Sequence, residues 1–210
     1  MKTPTIIINL KTYKQGASSL KLAKIIEKVN PKIIVGVQQT NISTITKKTN
    51  LQVFSQHTDY QKTGRNTGFI LPEAIKASGA KGTFLNHSEH RLSLKTIKAT
   101  VKRCKALNLK TAIFAKDLKQ AKEIKKLKPN YLIIEPPELI AGKTSITKAK
   151  PQLIKNIHKN LNYKFIVGAG IKTNQDLVTA MKLGASGIAL SSAITKAKNP
   201  KKKLQELITF

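Results

Sequence analysis

Tryptophan is absent from this 210-residue sequence, cysteine occurs once, and aromatic residues make up only 5%. With Cys104 alone, an intramolecular disulfide is impossible and a cysteine-based metal site is not expected. Long apolar runs are missing as well: the strongest are short, such as Ile6-Ile7-Ile8, far below the length of a membrane-spanning helix. The start, Met1-Lys2-Thr3-Pro4, leads straight into that run with no apolar core or cleavage site of a signal peptide, so a cytoplasmic protein without a membrane partner is expected. Acidic residues are scarce, 10 against 39 Lys and Arg, for a formal net charge of +29. Such a balance suits an anionic partner. Yet only Arg65, Arg91 and Arg103 are arginines, and nucleic-acid readers lean on arginine forks and stacked aromatics. The lysines are spread over every predicted helix and no basic arm stands out, so a compositional bias is the simpler reading and no nucleic-acid partner is expected. A positive field of this size should still attract a small phosphorylated substrate and make its association salt-sensitive.

What the chain does contain is alternation. Eight short β-branched runs read Thr5–Leu10, Ile33–Val37, Leu51–Ser55, Gly82–Asn86, Lys110–Ala115, Tyr131–Glu135, Phe165–Gly168 and Gly187–Leu190. Between them lie helical periodicities at Ser18–Val29, Pro72–Ser78, Ser93–Leu107, Leu118–Leu127, Pro151–Asn160, Asn174–Leu183 and Pro200–Leu207. Ser93 and Asn174 stand where N-caps belong, and Gly79 and Gly184 where helices end. Strand–helix alternation implies a parallel sheet with helices outside, and eight repeats that are apolar on both faces favour closure into a (β/α)8 barrel over an open doubly wound sheet. The open sheet would need a glycine-rich turn after the first strand, where the chain reads Asn9-Leu10-Lys11-Thr12-Tyr13. The expected organisation is one compact barrel domain over residues 1–210, with some helices shortened and a long polar loop over Gln56–Leu71.

In such a barrel the chemistry sits at the C-terminal ends of the strands. Alternation puts Ile7, Asn9 and Lys11 on one side of the first strand, and polar groups extending an inward row are costly without a ligand. At the fourth strand, His87 follows the parity of Thr83 and Leu85 and is expected to enter the barrel mouth, with the next residues opening a short helix whose positive end favours an uncharged imidazole. The sixth strand ends in Glu135-Pro136-Pro137, a carboxylate closing an apolar run with two stiff residues at the start of the loop 136–143. After the seventh and eighth strands, Gly168-Ala169-Gly170 and Ser191-Ser192-Ala193 are small enough for backbone N–H groups to approach an anion. His87 with His90 as metal ligands is an open alternative, although no carboxylate or cysteine cluster accompanies them.

Taken together, these segments resemble the triosephosphate isomerase family, in its short archaeal form, over the whole chain. The likeness rests on Asn9-Leu10-Lys11, Gln56-His57 with Asp59, Thr67-Gly68, Leu71-Pro72-Glu73-Ala74, Gly79-Ala80 with Gly82-Thr83, and Leu85–Arg91. It continues through Glu135–Ile140, Gly168–Ile171 and Lys196-Ala197-Lys198. The resemblance implies interconversion of glyceraldehyde 3-phosphate and dihydroxyacetone phosphate, with no cofactor and no metal. It assigns Glu135 as base, His87 as electrophile and proton shuttle, Lys11 with Asn9 as substrate-binding and charge-stabilising groups, and Glu89 as the partner of Lys11. Ile140, Gly170, Ser191 and Ser192 are implied as the phosphate's contacts. Thr67 resembles a residue that reaches into a neighbouring subunit, which implies a homodimer or homotetramer. Three departures stand out: Ala141-Gly142-Lys143 where the family usually has Gly-Thr-Gly, Phe114 where cysteine is frequent, and Ser192-Ala193 in place of Ser-Gly. A different phosphate-binding barrel enzyme, using a lysine such as Lys116 to form a Schiff base, is the competing enzymatic reading, and a basic nucleic-acid-binding protein the non-enzymatic one.

Overall fold

The computed structural model describes residues 3–140, 142 and 144–209. Met1-Lys2 and two of the three residues of the Ala141-Gly142-Lys143 stretch therefore lie outside the described residues. Eight parallel strands close into a barrel in sequence order: β1 Thr5–Asn9, β2 Ile34–Val37, β3 Gln52–Ser55, β4 Gly82–Leu85, β5 Lys110–Ala115, β6 Tyr131–Ile134, β7 Ile166–Val167 and β8 Gly187–Leu190. The seam is the pairing of β8 with β1, where Thr5, Ile6, Ile7 and Ile8 face Gly187, Ile188, Ala189 and Leu190. The expected barrel is present, with most strands a residue shorter than their apolar runs.

Alternation along the strands divides the core into two layers. Ile7, Ile34, Phe54, Phe84, Ala112, Phe114, Ile133, Ile166 and Ala189 fill the barrel itself. The alternate residues, among them Ile6, Ile8, Val35, Val53, Leu85, Ile113, Leu132, Ile134 and Leu190, pack outward against the helices. Inside, the rings of Phe54 and Phe84 lie 6.0 Å apart and those of Phe84 and Phe114 5.6 Å apart. Three phenylalanines fit because β2 supplies no side chain there: a Cβ on Gly36 would stand 2.0 Å from the Phe84 ring. Burying each such ring is worth roughly 1.5–3 kcal/mol.

The outer layer comprises α1 Gly16–Val29, α2 Ile42–Thr46, α3 Pro72–Ala77, α4 Leu94–Ala106, α5 Leu118–Lys125, α6 Ile146–Ala149, α7 Pro151–Leu161, α8 Asn174–Lys182, α9 Ser192–Thr195 and α10 Pro200–Ile208. Their buried residues recur at helical spacing, as in Ser19, Leu22, Ala23 and Ile26 of α1 and Ile97, Thr100, Val101 and Cys104 of α4. The lysines take the opposite faces. Ser93 caps α4, its Oγ accepting from the Thr96 N–H at 3.0 Å. At α8 the expectation fails by one residue: Thr173 is the N-cap. Asn174 instead donates its amide to the carbonyls of Leu207 and Thr209, tying α8 to the end of α10. The short helices α2, α6 and α9 escape the sequence reading because four or five residues cannot display a helical period. The 5- and 6-residue helices α2 and α3 are what let 210 residues complete eight repeats. Residues 56–71 form the expected irregular loop, held by Asp59, whose N–H donates to the Ile70 carbonyl at 2.8 Å and whose Oδ2 accepts the Ile70 N–H at 2.8 Å.

Candidate active site

The C-terminal mouth of the barrel opens into a cleft of about 630 Å³, part of it open solvent, lined by Asn9, Lys11, His87, Glu135, Ile140, Gly170, Lys172, Ser191 and Ser192 among others. These nine converge from five separate strand ends, those of β1, β4, β6, β7 and β8, which sequence spacing alone could not place together.

Glu135 continues the inward row of Tyr131 and Ile133, and its N–H still donates to the Ala115 carbonyl at 2.9 Å, one residue past the end of β6. It is 8% exposed. The side chain lies against β7, where a Cβ on residue 168 would come within 2.9 Å of Oε1, so Gly168 leaves the space the carboxylate occupies.

His87 arrives by a different route from the one its parity suggests. The inward row of β4 is Gly82 and Phe84, while Leu85 faces the helices. Simple alternation from Thr83 and Leu85 would thus point His87 away from the cleft. Asn86 breaks the alternation: it stands at φ +61°, and its side chain holds that bend by donating to the Phe114 carbonyl at 2.8 Å and accepting the Leu92 N–H at 3.0 Å. Asparagine is among the few residues that tolerate this region, because its short amide can bond locally. The result is a His87 ring packed edge-on to Phe114 at 4.8 Å and facing Glu135.

No helix follows His87; residues 88–89 form a turn closed by the His90 N–H on the His87 carbonyl. The turn nevertheless fixes the imidazole, since the Glu89 N–H donates to Nδ1 at 3.1 Å. A nitrogen that accepts carries no proton, so the neutral ring holds its hydrogen on Nε2. Nε2 lies 3.1 Å from Glu135 Oε2. The contact is close but off the N–H axis, and Oε2 has no aligned donor among the described residues. A base with an open lone pair and a donor with an unspent hydrogen therefore face one space.

The third wall is Asn9 and Lys11. Lys11 also takes a left-handed bend, at φ +46°, with its N–H on the Asn9 Oδ1 at 2.9 Å. Its ammonium bonds Glu89 Oε1 at 2.6 Å, bridging the loops after β1 and β4. Gln56, on the inward parity of Phe54, braces this bend: its amide nitrogen donates to Asn9 Oδ1 at 3.1 Å and to the Lys11 carbonyl at 3.0 Å. Gln56 stood in the sequence only as part of a motif; strand parity was the signal that marked it.

Across the cleft the groups are mostly backbone. Ala169 and Gly170 both have left-handed backbones, at φ +73° and +69°, and the Ser191 Oγ is buried without a partner among the described residues. Ser192 opens α9. Ile140 follows the 3-10 turn Pro137–Leu139. Of the Ala141-Gly142-Lys143 stretch, Gly142 is described, and its carbonyl accepts from Lys172 Nζ at 3.0 Å. No local signal singles out Lys172, Tyr13 or Asp176; the first two line the cleft and the third is buried beside the loop after β7, bonded to the Lys172 N–H. Thr67 sits exposed in the 56–71 loop and does not line this chain's own cleft.

Two alternatives lose their geometry. His90 stacks on His57, ring centroids 4.3 Å apart, instead of joining His87, and no group of three His, Cys, Asp or Glu suited to a metal exists among the described residues. Lys116 is exposed beyond the end of β5 and not in mid-barrel. Among the described residues no helix is long and apolar enough to cross a membrane.

Comparison with known proteins gives the chain a family. The family profile described as triosephosphate isomerase matches residues 4–209. The triosephosphate isomerase of Methanocaldococcus jannaschii is 39% identical over 216 residues, covering 98% of this chain and 99% of that protein. That of Saccharolobus solfataricus is 41% identical over 219 residues, covering 100% and 96%. A crystal structure of the Bartonella henselae triosephosphate isomerase superposes with a TM-score of 0.77 at 17% identity, over 99% of this chain and 100% of that one, a likeness of fold.

Proposed function

The chain belongs to the triosephosphate isomerase family, and from that premise we propose how its own residues interconvert D-glyceraldehyde 3-phosphate and dihydroxyacetone phosphate. It is an isomerase, and the reaction moves one proton between neighbouring carbons and another between their oxygens. Glu135 removes the carbon-bound proton, and the electron pair left behind is delocalised onto the carbonyl oxygen as an enediolate. His87 Nε2–H donates to that oxygen and shuttles the proton between the two oxygens. Lys11, with Asn9 beside it, offsets the developing negative charge, and Glu89 keeps Lys11 oriented. Glu135 then returns its proton to the other carbon. Charge that develops in a cleft closed to water is stabilised by fixed donors far more than it would be in bulk. A base paired with a neutral histidine is the arrangement for which this family serves as a standard illustration.

The observation that carries this reading is the facing pair: Glu135 Oε2 without an aligned donor, 3.1 Å from a His87 Nε2 whose partner nitrogen is already occupied. The phosphate is assigned to the opposite wall, to backbone at Ile140, Gly170, Ser191 and Ser192 and to the unpartnered Ser191 hydroxyl. Residues 1–210 act as one barrel domain. The assembly is a homodimer or homotetramer in which Thr67 reaches toward the neighbouring cleft, a reading supported by the exposure of Tyr60 and Phe69 on the same loop, and the enzyme works in the cytoplasm.

Glu135→Gln tests the base. A carboxamide cannot accept the proton, so kcat should fall about 10²–10⁴-fold with the fold retained. Near-normal turnover in that variant would remove Glu135 from the mechanism.

A further inference from the structure

Asp176 lies in the first turn of α8, behind the cleft, and is 3% exposed. A carboxylate so deeply buried is expensive unless its lone pairs are met. Two different segments meet them. Oδ2 accepts from the Lys172 N–H at 3.1 Å, the Thr173 N–H at 3.0 Å and the Thr173 hydroxyl at 2.9 Å. With the Asp176 N–H on Thr173 Oγ1, this completes the cap of α8. Oδ1 has no part in the cap. It accepts from Ser145 Oγ at 2.5 Å and Thr147 Oγ1 at 2.9 Å, two buried hydroxyls from the segment that follows the β6 loop.

That segment is pressed onto the loop after β7. The Ile146 N–H donates to the Ala169 carbonyl at 3.1 Å. Gly170 approaches Thr144 so closely that a Cβ there would stand 2.5 Å from the Thr144 carbonyl oxygen. Neither Ser145 nor Thr147 lines the cleft, while Gly170 and Lys172 do. We propose that Asp176 is a positioning residue for the phosphate wall: through Oδ1 it fixes residues 145–147 against the loop after β7 and so sets where the Gly170 backbone meets the substrate's phosphate. This rests on the placement of the phosphate given above.

Asp176→Ala would also uncap α8, so the test uses Ser145→Ala/Thr147→Val, which removes the Oδ1 partners and spares the cap. The substrates are D-glyceraldehyde 3-phosphate and phosphate-free D-glyceraldehyde, with inorganic phosphate as competitive inhibitor. The double variant should lose about tenfold in kcat/KM for the phosphorylated substrate, the scale of a hydrogen bond to a charged group, with a similar rise in the phosphate inhibition constant. Its kcat/KM for D-glyceraldehyde should not change, and Thr147→Ser, which keeps both hydroxyls, should behave as wild type. Equal slowing of both substrates, slowing of neither, or impairment in Thr147→Ser overturns the proposal. Glu135→Gln in the same assays separates the two ideas. It should silence both substrates, and if it does not, the reading of the site is at fault.

Discussion

On the side of the cleft formed by β1, β4 and β6, the atoms proposed to carry the reaction belong to side chains; on the side formed by the loops after β7 and β8, most of those proposed to hold phosphate belong to the backbone. Both sides depend on residues bent into the left-handed region, and they secure those bends differently. Lys11 and Asn86 are held by side chains at the bends themselves, Asn9 Oδ1 on the Lys11 N–H and the Asn86 amide on Phe114 and Leu92, with Gln56 bracing Asn9 and Lys11 from the end of β3. Ala169 and Gly170 are held from without, by the segment 144–147 that leans on them and by Asp176 behind it. A side chain can carry its own brace. A backbone wall has to be buttressed by something packed against it.

That contrast can be broken at several points. The largest effect belongs to the side-chain wall: His87→Gln should lower kcat about 10²–10⁴-fold while leaving the inhibition constant of inorganic phosphate at its wild-type value. A matching loss of phosphate affinity would show that the walls are not separable. Gly170→Ala attacks the other side, placing a Cβ at positive φ and against the Thr144 carbonyl. It should cost about 1–3 kcal/mol of stability and weaken phosphate inhibition, with turnover of phosphate-free D-glyceraldehyde retained. Denaturant titration alongside inhibition kinetics reads both, and unaltered phosphate inhibition would mean that the wall does not depend on this close approach.

The smallest effect concerns acid. Burial works to raise the Asp176 pKa, but the hydrogen bonds from Ser145, the Lys172 N–H, Thr173 and Thr147 outweigh it and hold the group below its ordinary 3.8. A depressed folded value means the unfolded chain binds the proton more readily. The resulting stability is therefore complete above pH 3.8 and is lost as pH falls through the lower folded value. In Asp176→Asn, the fall of Tm with pH below 3.8 should be shallower than in wild type, and an unchanged slope would deny the buttress its charge.

The side-chain wall was the more legible of the two in the sequence. Asn9, Lys11, His87 and Glu135 stand at strand ends as polar residues out of place, and a carboxylate closing Leu132-Ile133-Ile134 is conspicuous. Even there the reasoning for His87 failed by one step, because a strand's two-residue period cannot register the bend at Asn86. The N-cap of α8 slipped from Asn174 to Thr173 for a related reason: adjacent residues can both cap, and the reciprocal Asp176 decides. Nothing local to Asp176 foretells that Ser145 and Thr147 return to meet it.

By itself the sequence determined the eight strands and the principal helices and marked the groups proposed as reactive, because hydrophobic period and strand-end chemistry are local properties of the chain. Only the tertiary structure decided which groups face one another. Barrel closure brings residues 9, 87, 135 and 170 to one rim, and the orientation of each depends on contacts, such as Gly168 against Glu135 or Gln56 against Asn9, made between segments dozens of residues apart.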